Sequence, residues 1–327
     1  MVKTLVTGGT GFVGSHIARM LVDEGHTVRV LHRTTSKLTA LEGVDYQSII
    51  GDITNLESLR VACEGVDWVF HVAAVADYWR ADKSRMFAAN VEGTRTVLQA
   101  AREAGVKRVI FTSSAAAVGW GDKDNLPDES MPFNMNPDQF PYGYSKVLAE
   151  EVVAEAVADG QDVVTLNPVV VMGPGDLNMI SGSFIIQTKR LPILPYTSGG
   201  IAVVDVRDVA RGHIAAAEKG RTGERYILGT ANLPLRTMYE MSAKAVGVRR
   251  LLVYTPSFLV PVMAFLVTLL RFFRVPLPVD ANQVRMSIRD IYFNYDKSWS
   301  ELGEPQVDMQ QSLDDTYHWY REHGFVK

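Results

Sequence analysis

A glycine-rich turn near the amino terminus constrains the fold more than any other part of the chain. Residues 7–14 read TGGTGFVG, after a strand-like run at 3–7 and at the start of an amphipathic stretch. Glycines at this spacing allow a sharp turn and a close approach of the backbone to a pyrophosphate, and the following helix directs its N–H groups towards that anion. In this context the pattern predicts a dinucleotide cradle made of Gly8, Thr10, Gly11, Phe12, Val13 and Gly14.

Strand-like and helical segments alternate through the first half of the chain. Val- and Ile-rich runs predict strands at 3–7, 27–32, 45–50, 67–72, 108–112 and 162–166. Amphipathic periodicity predicts helices at 12–23, 56–63, 84–103 and 142–158. This order is typical of βαβ units, so we predict an α/β fold: a Rossmann doubly wound parallel sheet with a smaller C-terminal α/β domain.

The second half of the chain has a less regular pattern that is richer in proline and glycine. Residues 206–218 nevertheless look helical and 225–228 look like a strand. We therefore predict a nucleotide-binding domain at 1–168, to which parts of 202–230 return, and a mainly substrate-binding domain at 169–327.

Composition excludes several classes of function. The 327 residues include 33 Lys and Arg against 37 Asp and Glu, and the basic residues are scattered, so we expect no nucleic acid partner. Cys63 is the only cysteine, which excludes an intrachain disulfide and suits a reducing, cytoplasmic location. The seven histidines have no metal-binding spacing, so we expect no metal. The N-terminus resembles a strand, so we expect no signal peptide.

One apolar segment is unusual for a soluble chain. Residues 251–270 carry no charge. The flanking charges are Arg249, Arg250, Arg271 and Arg274. The segment is long enough to span a membrane, but Pro256 and Pro261 interrupt it. We therefore favour a buried helix of the substrate domain, and keep a weak membrane contact through 257–273 and a true span as alternatives.

The end of the second predicted strand indicates which nicotinamide cofactor fits the cradle. Sites for NAD usually place an Asp or Glu there, where it holds the ribose 2′-hydroxyl. Residues 31–37 include no acid but contain Arg33 and Lys37, which could pair with a 2′-phosphate. The sequence therefore favours NADP(H) over NAD(H). Asp52 and Ile53 follow the third strand, where Asp52 could meet the adenine.

Two side chains at the start of the predicted helix 142–158 have the chemistry of an acid–base pair. Tyr142 and Lys146 are four residues apart and share one helix face, whereas Tyr144 points elsewhere. A nearby ammonium and an oxidised nicotinamide favour a phenolate, so Tyr142 is a candidate proton donor and acceptor. Ser114 follows the fifth strand, at the edge of the sheet where ligands bind, and could bind a substrate oxygen. Each feature is common alone, so their value lies in the combination.

The combination resembles the extended short-chain dehydrogenase/reductase family. The segments that carry the resemblance, over residues 3–230, are TGGTGFVG, GDIT, HVAA, Asn90, TSSAAAVG and YGYSK. The resemblance implies that Tyr142 is the catalytic acid–base, that Lys146 holds the nicotinamide ribose and lowers the pKa of the tyrosine, and that Ser114 orients the substrate oxygen. It implies that Asn90 supports a proton relay. The cofactor contacts it implies are Ala73, Ala74, Thr112, Ser113, Tyr142, Lys146, Pro168 and Val171.

Within that family, residues 166–174 (LNPVVVMGP) are similar to the dihydroflavonol-reductase-like branch. Sugar-nucleotide epimerases more often have Arg-x-x-Asn there, and the cinnamoyl-CoA reductase sequence Asn-Trp-Tyr-Cys-Tyr is absent. We therefore favour NADPH-dependent reduction of a lipophilic or aromatic ketone or aldehyde. The alternatives are an NDP-sugar epimerase or dehydratase, a 3β-hydroxysteroid dehydrogenase-like enzyme and a non-enzymatic NADP(H) sensor. The resemblance also implies a homodimer that packs 84–103 and 142–158 against their copies. Weaker candidates for substrate contacts are Tyr78, Trp79 and Trp120.

Overall fold

The computed structural model describes residues 1–76, 82–121, 123–177, 179, 182–273, 275 and 280–326. Its strands are β1 (Lys3–Thr7), β2 (Thr27–His32), β3 (Gln47–Ile50), β4 (Trp68–His71), β5 (Arg108–Thr112), β6 (Val163–Pro168), β7 (Val170–Met172), β8 (Ile193–Tyr196), β9 (Gly200–Asp205), β10 (Arg225–Leu228), β11 (Ala231–Pro234), β12 (Leu251–Tyr254) and β13 (Asp290–Ile291). Its helices are α1 (Phe12–Asp23), α2 (Leu56–Cys63), α3 (Lys83–Phe87), α4 (Gly93–Glu103), α5 (Pro141–Ala158), α6 (Ser183–Arg190), α7 (Val206–Lys219), α8 (Leu235–Val246), α9 (Val260–Phe272), α10 (Ala281–Met286), α11 (Asp296–Leu302) and α12 (Met309–Glu322).

A seven-stranded sheet with the order β10-β6-β5-β4-β1-β2-β3 organises the molecule. Every pair of neighbours in it is parallel. The predicted doubly wound Rossmann sheet is therefore confirmed. The strand order reverses between β1 and β4, and ligands of such sheets bind in the crevice at the carboxyl ends of the strands flanking this point.

The second half of the chain contributes to this sheet and builds smaller ones. β10 pairs with β6, and α7 packs against α1, so this part returns to the first sheet. A second sheet has the order β11-β9-β13, with β7 also paired to β9. β12 and β8 form a two-stranded sheet.

The predicted helix at 84–103 is interrupted, so its prediction as one continuous α-helix is wrong. α3 ends at Phe87, a π-helical turn covers Ala88–Glu92, and α4 begins at Gly93. The side chain of Asn90, within the turn, is bonded to the backbone of Val75, in the loop after β4. Such turns often occur at functional sites, and apolar periodicity does not reveal them.

The uncharged segment 251–270 does not form the buried helix that the sequence favoured. It folds into β12, a short 3₁₀ turn and α9, and the outward side chains of α9 are large, apolar and exposed. In the described parts of the chain, no helix has the length and apolar character to cross a membrane. The prediction failed because a run of apolar residues does not show which of its sides finds a partner within the chain.

Candidate active site

The glycine-rich turn connects β1 to α1 and lies against the end of β4. Gly8 has a φ of +73°, and a Cβ there would lie 2.6 Å from the backbone nitrogen of Ala73. A Cβ on Gly14 would lie 2.3 Å from the carbonyl oxygen of Gly8. Gly11, the N-cap of α1, has no side chain to cap the helix, and the first turn has no acidic residue. This bare helix start fits the pyrophosphate of a dinucleotide.

A directed chain of hydrogen bonds runs from this turn to Asn90. The hydroxyl of Thr94 donates to the carbonyl oxygen of Asn90 at 2.7 Å, so it accepts from Nε2 of His71 at 3.0 Å. Nδ1 of His71 then accepts from the hydroxyl of Thr7 at 2.8 Å, and that hydroxyl accepts from the Ala73 N–H at 3.3 Å. Burial lowers the pKa of His71 to about 3, which keeps the ring in the neutral form that this series of hydrogen bonds requires.

Asn90 extends the chain of bonds to the start of α5. Its Oδ1 accepts from the Val75 N–H at 2.8 Å, and its Nδ2 donates to the Val75 carbonyl at 3.1 Å. Nδ2 also donates to Oγ of Ser145 at 2.9 Å, and that hydroxyl donates to the carbonyl oxygen of Tyr142 at 2.7 Å. These bonds hold the loop after β4 against α5, and a part in a proton relay stays a prediction.

Tyr142 and Lys146 lie together on a buried face of α5, where their spacing places them. The helix approaches the turn after β5 closely at Gly143, because a Cβ there would lie 2.5 Å from the carbonyl oxygen of Ala116. Tyr142 packs in a cluster with Phe140 and Met86. A glycine at 143 therefore allows the helix with the candidate acid–base to lie over the carboxyl end of β5.

The ammonium of Lys146 is anchored at that strand end. Its Nζ donates to the carbonyl oxygen of Thr112 at 2.9 Å and lies 5.2 Å from the centre of the Phe111 ring. Burial lowers the pKa of Lys146 to about 8, and the charge of Glu150 acts in the opposite direction. A cation is thus available beside Tyr142 near neutral pH, as a phenolate requires.

The side chain of Thr112 is fixed from the other side of the sheet. Nδ1 of His213 lies 2.7 Å from the carbonyl oxygen of Val209 and therefore carries the hydrogen. Nε2 of His213 accepts from the Thr112 hydroxyl at 2.8 Å. Burial lowers the pKa of His213 to about 4, so the ring stays neutral. The Thr112 hydroxyl therefore uses its hydrogen on His213 and keeps its lone pairs, and a contact of Thr112 with the cofactor stays a prediction.

A charged network lies beneath the serines that follow β5. Oε1 of Glu150 accepts from the hydroxyl of Ser113 and, at 2.7 Å, from Nδ2 of Asn167. The same Asn167 nitrogen donates to the carbonyl oxygen of Ser114 at 3.0 Å. Oε2 of Glu150 accepts from Arg225 at 2.8 Å. The hydroxyl of Ser113 is therefore part of this network, and the contact of Ser113 with a cofactor stays a prediction.

Ser114 begins a short 3₁₀ turn, Ala115–Ala117. Its Oγ accepts from the Ala116 N–H at 3.2 Å, a bond that uses a lone pair and leaves the hydroxyl able to donate to a substrate oxygen.

The basic residues predicted to select the cofactor are exposed beyond β2. Arg33 and Lys37 both lie on the surface. Partial burial raises the pKa of Asp52, but hydrogen bonds from the N–H and hydroxyl of Thr54 and the charge of Arg33 lower it overall. Oδ1 of Asp52 accepts both Thr54 bonds, at 2.9 and 2.8 Å. Ile53 packs against the start of α4. The adenine contact stays a prediction.

The remaining predicted residues lie around this centre. Pro168 ends β6, and Val171 lies in β7 and packs against the main core. Trp120 is 6.1 Å from Phe140, ring centre to ring centre, at the edge of the Tyr142 cluster. Ala73 and Ala74 follow β4. Tyr78 and Trp79 lie outside the described residues.

Sequence reasoning missed the buried and half-buried supports of the site. The histidine of the HVAA segment and the acid one helical turn after Lys146 were visible signals, but their partners are distant in sequence. These supports are His71, Glu150, Asn167, His213 and Arg225.

Comparison with known proteins agrees with this geometry. The model of a family described as the NAD dependent epimerase/dehydratase family matches residues 4–229. A putative dihydroflavonol 4-reductase from Synechocystis is 35% identical over 98% of this chain and 95% of its own length. Sterol demethylase protein B from Methylococcus capsulatus is 32% identical over 99% of both chains. The crystal structure of gox2253 matches with a TM-score of 0.87, at 35% identity over 100% of both chains.

Proposed function

The chain belongs to the NAD dependent epimerase/dehydratase family, and on that basis we propose that it is an NADPH-dependent reductase that converts a ketone or aldehyde to an alcohol. Its family and its reductase relatives make it an oxidoreductase that uses a nicotinamide cofactor. The observation that carries the finer proposal is the pairing of Tyr142 with the anchored ammonium of Lys146 on one face of α5.

The proposed reaction assigns one role each to Ser114, Tyr142 and Lys146. Bound NADPH would supply the hydride, with its pyrophosphate on the glycine turn and its 2′-phosphate beside Arg33 and Lys37. Ser114 donates a hydrogen bond to the carbonyl oxygen of the substrate, and Tyr142 gives that oxygen a proton as negative charge develops on it. The ammonium of Lys146 then stabilises the phenolate that remains.

The second half of the chain supplies the substrate side of this proposal. Met286 of α10 packs against the cluster that holds Tyr142 and Phe140, and Trp120 packs against the same cluster. This surrounding is apolar and suits a lipophilic or aromatic carbonyl compound. We therefore keep 169–327 as the mainly substrate-binding part.

The test is NADPH consumption with aromatic ketones, aliphatic aldehydes and steroids. Tyr142→Phe should lower turnover by about 10²- to 10⁴-fold while NADPH still binds, because it removes only the transferable proton. Tyr144→Phe is the matched control, since that ring packs against Phe87 and Phe133. Turnover that survives in Tyr142→Phe would contradict the proposal.

The description of the family favours a second candidate, a sugar-nucleotide epimerase or dehydratase. Such an enzyme would use Tyr142 and Lys146 to oxidise and then reduce one bound substrate. Isomerisation of a sugar nucleotide without net NADPH consumption, together with cofactor that co-purifies, would replace the reductase proposal.

We also propose that the protein is a homodimer built on α4 and α5. These helices lie side by side, joined by Arg95 to Glu155 at 3.1 Å and Arg102 to Asp159 at 2.9 Å. Light scattering should give the mass of two chains, and the mass of one chain would contradict this arrangement.

A further inference from the structure

The outward side of α9 and of the turn before it is formed by large apolar side chains that lack cover. We call the following residues the α9 face: Phe258, Val262, Phe265, Leu266, Phe272 and Phe273. Each of these side chains is between 49% and 80% exposed. If a fully exposed side chain of this size presents roughly 180 Å², the face amounts to on the order of 700 Å². Soluble monomers seldom expose so large a contiguous patch, and such patches mark interaction sites.

α9 departs from the usual amphipathic arrangement, because its outward side is apolar as well as its buried side, which includes Val260 and Ala264. A surface helix normally turns its apolar stripe inward. In α9 the inward positions include the small residue Ala264, whose carbonyl oxygen accepts from the Thr268 hydroxyl at 2.9 Å. Arg271 is also partly covered and pairs with Asp280 at 2.9 Å. The larger apolar side chains face away from the protein, so their partner lies outside the chain.

Charge indicates the kind of partner. The chain as a whole has a net charge of −4, yet residues 249–275 contain four arginines and no acid, and of these arginines Arg271 is paired with Asp280. Arg249 is exposed just before β12, at one end of the segment. An apolar centre with basic ends complements an anionic bilayer, in which lipid headgroups attract the cations and the acyl region accepts the apolar side chains. A twofold contact in which two copies of this segment lie side by side would bring arginines near one another, which is unfavourable.

We propose that the α9 face docks this protein onto the surface of an anionic membrane. α9 has 13 residues, about 20 Å at 1.5 Å per residue, and so falls short of the roughly 30 Å hydrocarbon core. The helix therefore lies in the interface with its apolar side towards the acyl chains, and does not cross the bilayer.

Docking in this way brings lipid close to the candidate active site. α9 packs against α10, and Met286 of α10 packs in the cluster with Tyr142 and Phe140. A lipophilic substrate dissolved in the bilayer then has a short path to Tyr142. This consequence rests on the proposed function, whereas the docking itself does not.

The test is co-sedimentation of the full chain with vesicles. Equal parts of phosphatidylglycerol and phosphatidylcholine are compared with phosphatidylcholine alone, at low and at high salt. We expect the chain to bind the anionic vesicles, and to bind more weakly to the neutral vesicles and at high salt. The reason is that the arginines add electrostatic attraction to the burial of the apolar side chains. Phe265→Glu should reduce binding about tenfold or more, and Arg249→Glu should reduce binding to anionic vesicles only.

Val61→Glu is the matched control, because Val61 lies in α2, distant in sequence from α9, and is 61% exposed against 63% for Phe265. It should bind vesicles as the unchanged protein does. Equal binding by Phe265→Glu, or equal loss in Val61→Glu, would overturn the proposal. A third result would also overturn it: the unchanged chain binds no vesicles, and light scattering gives Phe265→Glu a smaller mass than the unchanged chain. The α9 face would then join two copies of the chain. Reduction of a water-soluble carbonyl compound by NADPH should be unchanged in Phe265→Glu. This assay tests the reductase proposal and co-sedimentation tests the docking, so the failure of one can be distinguished from the failure of the other.

Discussion

The ammonium of Lys146 donates a hydrogen bond to the carbonyl oxygen of Thr112 over 2.9 Å and so joins α5 to the carboxyl end of β5. The strand end is the ligand edge of the sheet, and the helix carries Tyr142. The bond is made by a buried lysine whose pKa burial lowers to about 8. The protonation state of Lys146 therefore affects the stability of the fold and, in the proposed reaction, the chemistry of the site.

Replacing Lys146 by Met should change how stability depends on pH. A lysine in an unfolded chain has a pKa of about 10.4. Between about pH 8 and 10.4 the unfolded chain therefore binds one more proton than the folded chain, so the free energy of unfolding rises with pH. Across this window the unchanged protein should gain up to about 3 kcal/mol relative to Lys146→Met. Urea unfolding at a series of pH values measures the gain. If the free energy of unfolding had the same pH dependence in both proteins, the pKa of Lys146 would not be lowered in the folded chain.

Glu150→Gln tests the charge beneath the serines. The change keeps the size of the side chain, but it leaves Arg225 without its anion and removes the attraction that favours the protonated form of Lys146. We expect a loss of about 2–4 kcal/mol in urea unfolding and a shift of the basic limb of the turnover profile to lower pH. Glu151→Gln, at the exposed neighbouring position, is the control and should change neither quantity. A stability loss without a shift of the profile would limit Glu150 to a structural role.

Arg33→Ala should separate the two nicotinamide cofactors. A charge-assisted contact with the 2′-phosphate contributes about 1.5–3 kcal/mol, so kcat/KM for NADPH should fall by about 10- to 100-fold while that for NADH hardly changes. Steady-state kinetics with both cofactors provides the measurement. Arg19→Ala, an exposed arginine on α1 that donates to the carbonyl oxygen of Glu42, is the control. An equal effect on both cofactors would remove the argument for NADP(H).

Two buried histidines should make the protein sensitive to acid. Burial lowers the pKa of His71 to about 3 and that of His213 to about 4, whereas a histidine in the unfolded chain has a pKa of about 6.5. As pH falls from about 6.5 to 4 the unfolded chain takes up protons that the folded chain does not, so stability falls by up to about 1.4 kcal/mol per pH unit for each ring. His213→Gln should reduce the slope of unfolding free energy against pH, and the exposed His318→Gln should not. Identical slopes would contradict this origin of acid sensitivity.

Much of the fold and the centre of the site follow from local sequence. All six strands predicted for the first half of the chain, and three of the four helices predicted there, match the structure to within one or two residues. Glycine spacing after the first strand and the spacing of Tyr142 and Lys146 are properties of one turn and one helix. They can be read from the chain because side-chain direction repeats regularly within an element.

The sequence by itself determined the parallel sheet, the glycine turn and the helix face with Tyr142 and Lys146. Tertiary structure decided the supports of that site, such as the contact of Thr112 with His213, 101 residues away, and that of Glu150 with Arg225, 75 residues away. It also decided that the large side chains of α9 face outward. The physical reason is that periodicity records only whether neighbouring residues are apolar or polar, whereas these features depend on which distant groups satisfy a buried donor, charge or surface.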